Sequence, residues 1–234
     1  IENYAEEKST GADFDSPEME DHRTEFLLAQ SDKTEKEAEA SSGSSGGESN
    51  PGSAPRLSPE IREGIAQYRE ENYEEAVEIL TEAKKLEPES SVASFFLGMA
   101  YKQIMDYPKA FENFKDASTN TPRIKEALIE LLAMALQLQK FQEGKEWVAV
   151  AERENIFPGK TAFLKGQLLN REGLYMEAAE AFEQAKLIDP ANSQAAELQI
   201  ALCYMKEKKF EEAKKRMDAT VLMDPQSDLA GYAR

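Results

Sequence analysis

The chain has 234 residues, with 45 Asp or Glu against 28 Lys or Arg, for a formal charge of −17. Phosphate recognition runs on Lys and Arg displacing counterions, so this balance makes nucleic acid and anionic lipid poor partners. No apolar run reaches about 18 residues, so no direct membrane insertion is expected.

In chain order, residues 1–56 differ in kind from the rest. They hold 14 acidic and 5 basic residues and form a low-complexity acidic arm. Within residues 1–40 of that arm, Ser16-Pro17-Glu18 reads as a helix N-cap with proline at the first helical position. Met19, His22, Phe26 and Leu27 follow at helical spacing, which predicts an amphipathic helix over residues 16–40. Alone, such a helix is marginal in water and needs a surface to fold against. Residues 41–56, SSGSSGGESNPGSAPR, read as a flexible Ser/Gly linker.

From Leu57 onward the sequence is a ladder. Tyr73, Tyr107, Phe141, Tyr175 and Phe210 recur at spacings of 34, 34, 34 and 35 residues. Three residues after each stands a small one: Ala76, Ala110, Gly144, Ala178 and Ala213. A period of about 20–50 residues signals stacked repeats rather than one helix or strand. Each unit reads as two amphipathic helices, A and B, joined by a tight turn. Gly64, Gly98 and Gly166 sit on A helices. Leu80, Phe114, Phe182 and Met217 sit on B helices, and Pro88, Pro122, Pro190 and Pro225 follow them. Small residues let A and B approach closely, the aromatic at the head of B fills the wedge between neighbours, and the proline ends the helix. One helix pair cannot bury its apolar stripe alone; stacking does.

These residues resemble the tetratricopeptide repeat, a helix-turn-helix of 34 residues, over about residues 57–227. The resemblance implies an all-α, right-handed solenoid of about five repeats, near 57–90, 91–124, 125–158, 159–192 and 194–227. It also implies a concave face lined by A helices. Residues 228–234 read as the start of a further helix, which leaves Ile200 and Met217 of the fifth repeat partly bare. With Ile1 at its head, the chain has the pattern expected of a fragment or a processed form.

The third repeat departs from the pattern. Leu132 replaces the A-helix glycine, Gly144 replaces the B-helix alanine, and Pro158 comes two residues late. This predicts an altered packing angle and a longer loop around 155–160. Ordinary repeat drift is one reading of it; a contact loop displaying Ile156 and Phe157 is the other. Trp147 reads as a core filler.

No catalytic constellation emerges, and the chain reads as a non-enzyme. Cys203 and His22, each the sole residue of its type, leave no pair for a disulfide, a His/Cys metal cluster or a nucleophilic dyad. No phosphate loop or zinc spacing is present, and no cofactor is expected. Acidic pairs such as Glu74-Glu75 suit exposed helix starts. Cys203 reads as buried packing.

What remains is binding. By the resemblance, the concave-face places hold Ile61, Ile65, Tyr68, Phe95, Met99, Lys102, Ile129, Leu136, Phe163, Asn170, Leu198, Leu202 and Met205, an apolar row. Exposed apolar surface of a few hundred Å² marks a partner site, although part of the row can instead be packing between A helices. The carboxylate clamp of chaperone-binding members is missing: its places hold Ile61, Ile65, Phe96, Glu126 and Glu130. An amphipathic or extended apolar segment suits the row better. One lies in the chain itself, at Met19, Phe26 and Leu27, for docking within the molecule or swapped into a neighbour. The reading is therefore a non-catalytic scaffold that binds a protein or peptide partner. The alternatives are the repeat region of a larger enzyme or signalling protein, and a cell-envelope assembly factor for pili or secretion. The compartment stays open: cytoplasmic is slightly favoured, and periplasmic or envelope fits if a signal peptide was removed.

Overall fold

The computed structural model describes residues 57–233. The chain divides into two units between Arg62 and Glu63. The first is described only from Leu57 to Arg62, and the account below concerns the second except where Ile61 is named. The acidic arm, the helix expected at 16–40 with Met19, Phe26 and Leu27, and the Ser/Gly linker lie outside the described residues.

Among the described residues there are eleven α-helices, one short 3-10 helix (Pro190–Asn192) and no strand. The A helices are α1 (Pro59–Arg69), α3 (Ser91–Gln103), α5 (Lys125–Gln137), α7 (Pro158–Glu172) and α9 (Ser193–Lys206). The B helices are α2 (Tyr73–Leu86), α4 (Tyr107–Thr119), α6 (Phe141–Arg153), α8 (Tyr175–Ile188) and α10 (Phe210–Met223), and α11 (Asp228–Ala233) follows. From α2 onward each helix packs on the next, and α5 also touches α7 directly. The fold is an all-α solenoid of helix pairs.

Each ladder aromatic is the first residue of its B helix. The small residues three positions on, Ala76, Ala110, Gly144, Ala178 and Ala213, are all buried. Gly98 shows why size matters: a Cβ there would lie 2.8 Å from the Phe114 ring. The same close approach pairs Gly64 with Leu80 and Gly166 with Phe182.

The turn between A and B is the same left-handed closure five times. Glu71, Met105, Gln139, Gly173 and Lys208, each two residues before a ladder aromatic, have φ of 62°, 61°, 57°, 84° and 59°. Each donates its N–H to the carbonyl three residues back, at 2.9–3.2 Å. The next residue donates to the carbonyl five back, at 2.8–3.0 Å. This is the Schellman arrangement, which glycine usually closes. Only Gly173 announces it in the sequence. Met105 is 73% exposed and packs little. Met105→Gly is therefore expected to stabilise the protein by about 0.5–1 kcal/mol, the left-handed cost relieved less the added chain entropy. A urea midpoint that falls would contradict this.

The third repeat solves the same packing problem with the sizes exchanged. Leu132 stands where the glycine would be and meets Val148 and Leu168, with Trp147 and Phe141 packed against that cluster. Gly144 in turn gives room to Leu168 of the next repeat, 3.0 Å from where its Cβ would be. The longer loop expected around 155–160 is not there, since α6 ends at Arg153 and α7 starts at Pro158. Asn155 (φ 52°) closes α6 as the A–B turns do, with Ile156 N–H donating to the Ala151 carbonyl at 2.9 Å. Ile156 is 2% exposed, and α7 already starts at Pro158. Phe157, half-buried at φ 40°, is the N-cap of α7. Thr161 donates its N–H to the Phe157 carbonyl at 2.9 Å and its hydroxyl to the Ile156 carbonyl at 2.7 Å. The late proline is thus the first turn of the next helix rather than the end of a long loop.

Candidate functional site

Neighbouring repeats are tied by ion pairs. Lys84 on α2 donates to Asn113 at 2.6 Å and Asp116 at 2.7 Å on α4. Lys145 on α6 donates to Glu172 at the end of α7 at 2.9 Å. The densest knot joins the fourth and fifth repeats. Glu197 on α9, 3% exposed, accepts from Lys186 of α8 at 2.6 Å and from Arg216 of α10 at 2.9 Å. Arg216 also reaches Glu183 of α8 at 2.5 Å. Burial alone would raise the Glu183 pKa; the Lys186 hydrogen bond and the Arg216 and Lys186 charges outweigh it and hold it below the ordinary value. Burial likewise opposes the charged forms of Lys186 and Arg216, and their carboxylate partners overcome it and raise both.

The A-helix row proves mostly closed. Ile61, Ile65, Phe95, Met99, Ile129, Phe163 and Leu198 are buried. Two of these have clear partners within their own repeat: Phe95 lies 5.5 Å from Phe96 and 6.0 Å from Phe114, and Phe163 lies edge-on to Phe182 at 5.1 Å. The expected open apolar strip is therefore largely core. Tyr68, Lys102, Leu136, Asn170 and Leu202 are half-buried, and Met205 is 42% exposed. Tyr68 stacks near Tyr73 at 5.5 Å and Phe96 at 6.0 Å. Leu136 packs on the Leu132 cluster. Lys102 bonds Glu130 at 3.0 Å, linking α3 to α5 through two side chains 14% and 8% exposed. One positive charge of the row is thus committed to holding repeats together.

An open apolar feature lies along the B helix of the fifth repeat. Met205, Phe210, Met217, Val221 and Leu222, with Lys214, line a groove of about 830 Å³ along α10. Phe210 is 64% exposed and Leu222 79%. The other four ladder aromatics are half-buried. α10 is followed by the six-residue α11. Of the two residues expected to be bare, Met217 lines this groove while Ile200 is fully buried. The sequence reading took Phe210 for an ordinary rung and so missed the groove.

Cys203 is buried, and burial pushes its thiol up to about 12, far from a reactive thiolate. Among the described residues no cluster of His, Cys, Asp and Glu could hold a metal ion, and no helix is long and apolar enough to cross a membrane.

Residues 160–192, the fourth repeat, match the sequence profile of the tetratricopeptide repeat. Among curated proteins, no sequence matches the chain. Solved structures do match in fold. YrrB, described as a tetratricopeptide-repeat protein with an unusual peptide-binding site, is 20% identical over 76% of this chain and 91% of its own, at a TM-score of 0.64. MamA from Desulfovibrio magneticus RS-1 is 15% identical over 74% and 99%, at 0.65. TTC0263 of Thermus thermophilus, a thermophilic protein of the same repeat class, is 19% identical over 74% and 95%, at 0.54. The fourth repeat thus matches the tetratricopeptide-repeat profile, and the helix pair built five times has the fold of these repeat proteins.

Proposed function

We propose that this protein is a non-catalytic scaffold that takes an apolar or amphipathic segment of a partner protein along the half-exposed part of its A-helix row. The repeat fold itself carries the reading: such solenoids are typically interaction frames, and YrrB, of the same fold, has a peptide-binding site by its description. On this chain the contacts fall to Tyr68, Leu136, Asn170, Leu202 and Met205, which keep some surface when the rest of the row is buried. Leu202 and Met205 supply apolar anchors, and Asn170 can fix register through its amide. Residues 16–40 of the chain are one segment with the required pattern.

A phage-displayed peptide library panned on the full chain tests this. Enriched peptides are expected to carry apolar residues at helical spacing and to bind an Asn170→Glu, Leu202→Glu variant at least tenfold more weakly. Unchanged binding to that variant would move the site off the A helices.

A further inference from the structure

We propose that α7 recognises one acidic side chain of the partner segment, through Gln167 together with Asn170 and Arg171. The inference rests on the scaffold reading and names the chemistry of its guest: an amphipathic helix whose apolar stripe is broken by a single Asp or Glu.

Gln167 carries the argument. It lies four residues after Phe163 and three before Asn170, on the face of α7 that carries the A-helix row. It is 8% exposed, yet among the described residues no group is hydrogen-bonded to its side-chain amide. A buried amide of this kind forfeits hydrogen bonds that it makes in water, and a guest that supplies the acceptor restores them. Other buried polar side chains of the A helices are already matched. Ser91 donates to the Pro122 carbonyl and Thr161 to the Ile156 carbonyl. Glu130 is held by Lys102, and Glu197 by Lys186 and Arg216. Ser94 also lacks a partner, but its hydroxyl is sealed and no guest reaches it.

The next turn of α7 sets the charge of the guest. Asn170 is half-buried and Arg171 exposed, and among the described residues neither side chain is hydrogen-bonded or ion-paired. Two amide NH2 groups and a guanidinium thus stand within one helical turn. A carboxylate, which only accepts, matches that set of donors, and its bonds to Arg are charge-assisted. Carboxylates of the protein do not take this place. Glu172 is bonded to Lys145 at 2.9 Å, and Glu130 and Glu197 are held by their own cations. Glu126 lies in the first turn of α5, at the opposite end of that helix from Leu136.

The test pans the full chain with three phage sublibraries of helix-forming peptides about 16 residues long. They fix Glu, Gln or Leu at one place within an otherwise apolar stripe. The Glu sublibrary is expected to be enriched over the other two. A selected peptide is expected to bind at least tenfold more weakly when its glutamate becomes glutamine, and at least tenfold more weakly to Gln167→Leu. Arg171→Glu is expected to abolish binding of that peptide and to accept one with lysine at the fixed place, a reversal that lost packing does not produce. Arg171 is exposed, so this variant keeps its fold, which circular dichroism checks. Equal enrichment of the Gln or Leu sublibrary, or a Gln167→Leu variant that binds as well as the parent, would overturn the proposal. The scaffold reading then stands if Asn170→Glu, Leu202→Glu still weakens the same peptides. Peptides indifferent to that double variant, or no enrichment from any sublibrary, would overturn both.

Discussion

Gly166→Ala is expected to destabilise the protein by about 2–3 kcal/mol, a large effect for one methyl group on a helix that would otherwise welcome alanine. The added Cβ would lie 2.7 Å from a carbon of the Phe182 ring, and two further ring carbons lie at 2.8 and 2.9 Å. Phe182 is fully buried and already edge-on to Phe163 at 5.1 Å, so the ring has nowhere to retreat. Overpacking must then part α7 from α8. The explanation makes a sharper claim through a second substitution. Phe182→Leu alone removes buried ring volume and is expected to cost about 1–3 kcal/mol. In the Gly166→Ala background the smaller leucine makes room, so the two costs together are expected to fall short of their sum by about 1 kcal/mol or more. Urea midpoints of the four proteins measure this. Additive costs would mean that the glycine does not serve close approach. Gly231→Ala is the control, since nothing lies within 4 Å of a Cβ there.

The second large effect is expected at Glu197. Its side chain is 3% exposed and accepts from Lys186 and Arg216. Glu197→Ala leaves a buried gap beside both cations, which keep only Glu183 as a carboxylate partner in the knot. Removing one partner of a buried pair costs about 3–5 kcal/mol, and the partial exposure of the two cations argues for the lower end. Because this knot joins α8, α9 and α10, the loss should be local. Hydrogen exchange is expected to show the fifth repeat opening before the rest, as nearest-neighbour coupling in a solenoid requires. Uniform loosening of all repeats would contradict it.

The same knot sets a pH dependence. Glu183 has its folded pKa held below the ordinary value, so its contribution is present above the unfolded carboxylate pKa and lost as pH falls through the folded one. Lys186 has its folded pKa raised, so its contribution is complete below the unfolded lysine pKa and lost only as pH rises through the folded value. Between these limits the knot is intact.

Much of the architecture was legible in the residues themselves. A 34-residue recurrence of aromatic, small residue and proline names a stacked helix pair, because only a repeating geometry demands the same sizes at the same places. The start of every B helix could be read off the ladder. So could the close approach at Gly64, Gly98 and Gly166. The third repeat was legible as different but not as to how. Leu132 and Gly144 exchange roles across a contact with Val148 and Leu168, and these four residues come from three helices.

The candidate sites were less legible, and for one physical reason. Apolar side chains read the same whether they face a neighbour or water. Phe95, Phe163 and Leu198 sit at places where the repeat family meets ligands, yet here they are buried. Phe210 sits at a structural place, yet it is exposed. Lys102 looked like a ligand contact until Glu130 of the next repeat was seen to hold it. The left-handed turns at Glu71, Met105, Gln139 and Lys208 left no residue signature at all, because the backbone bonds that close them do not depend on the side chain. By itself, then, the sequence determined the repeat, its register and its acidity. Only the tertiary structure decided which apolar residues are buried, since exposure depends on what the neighbouring helix covers.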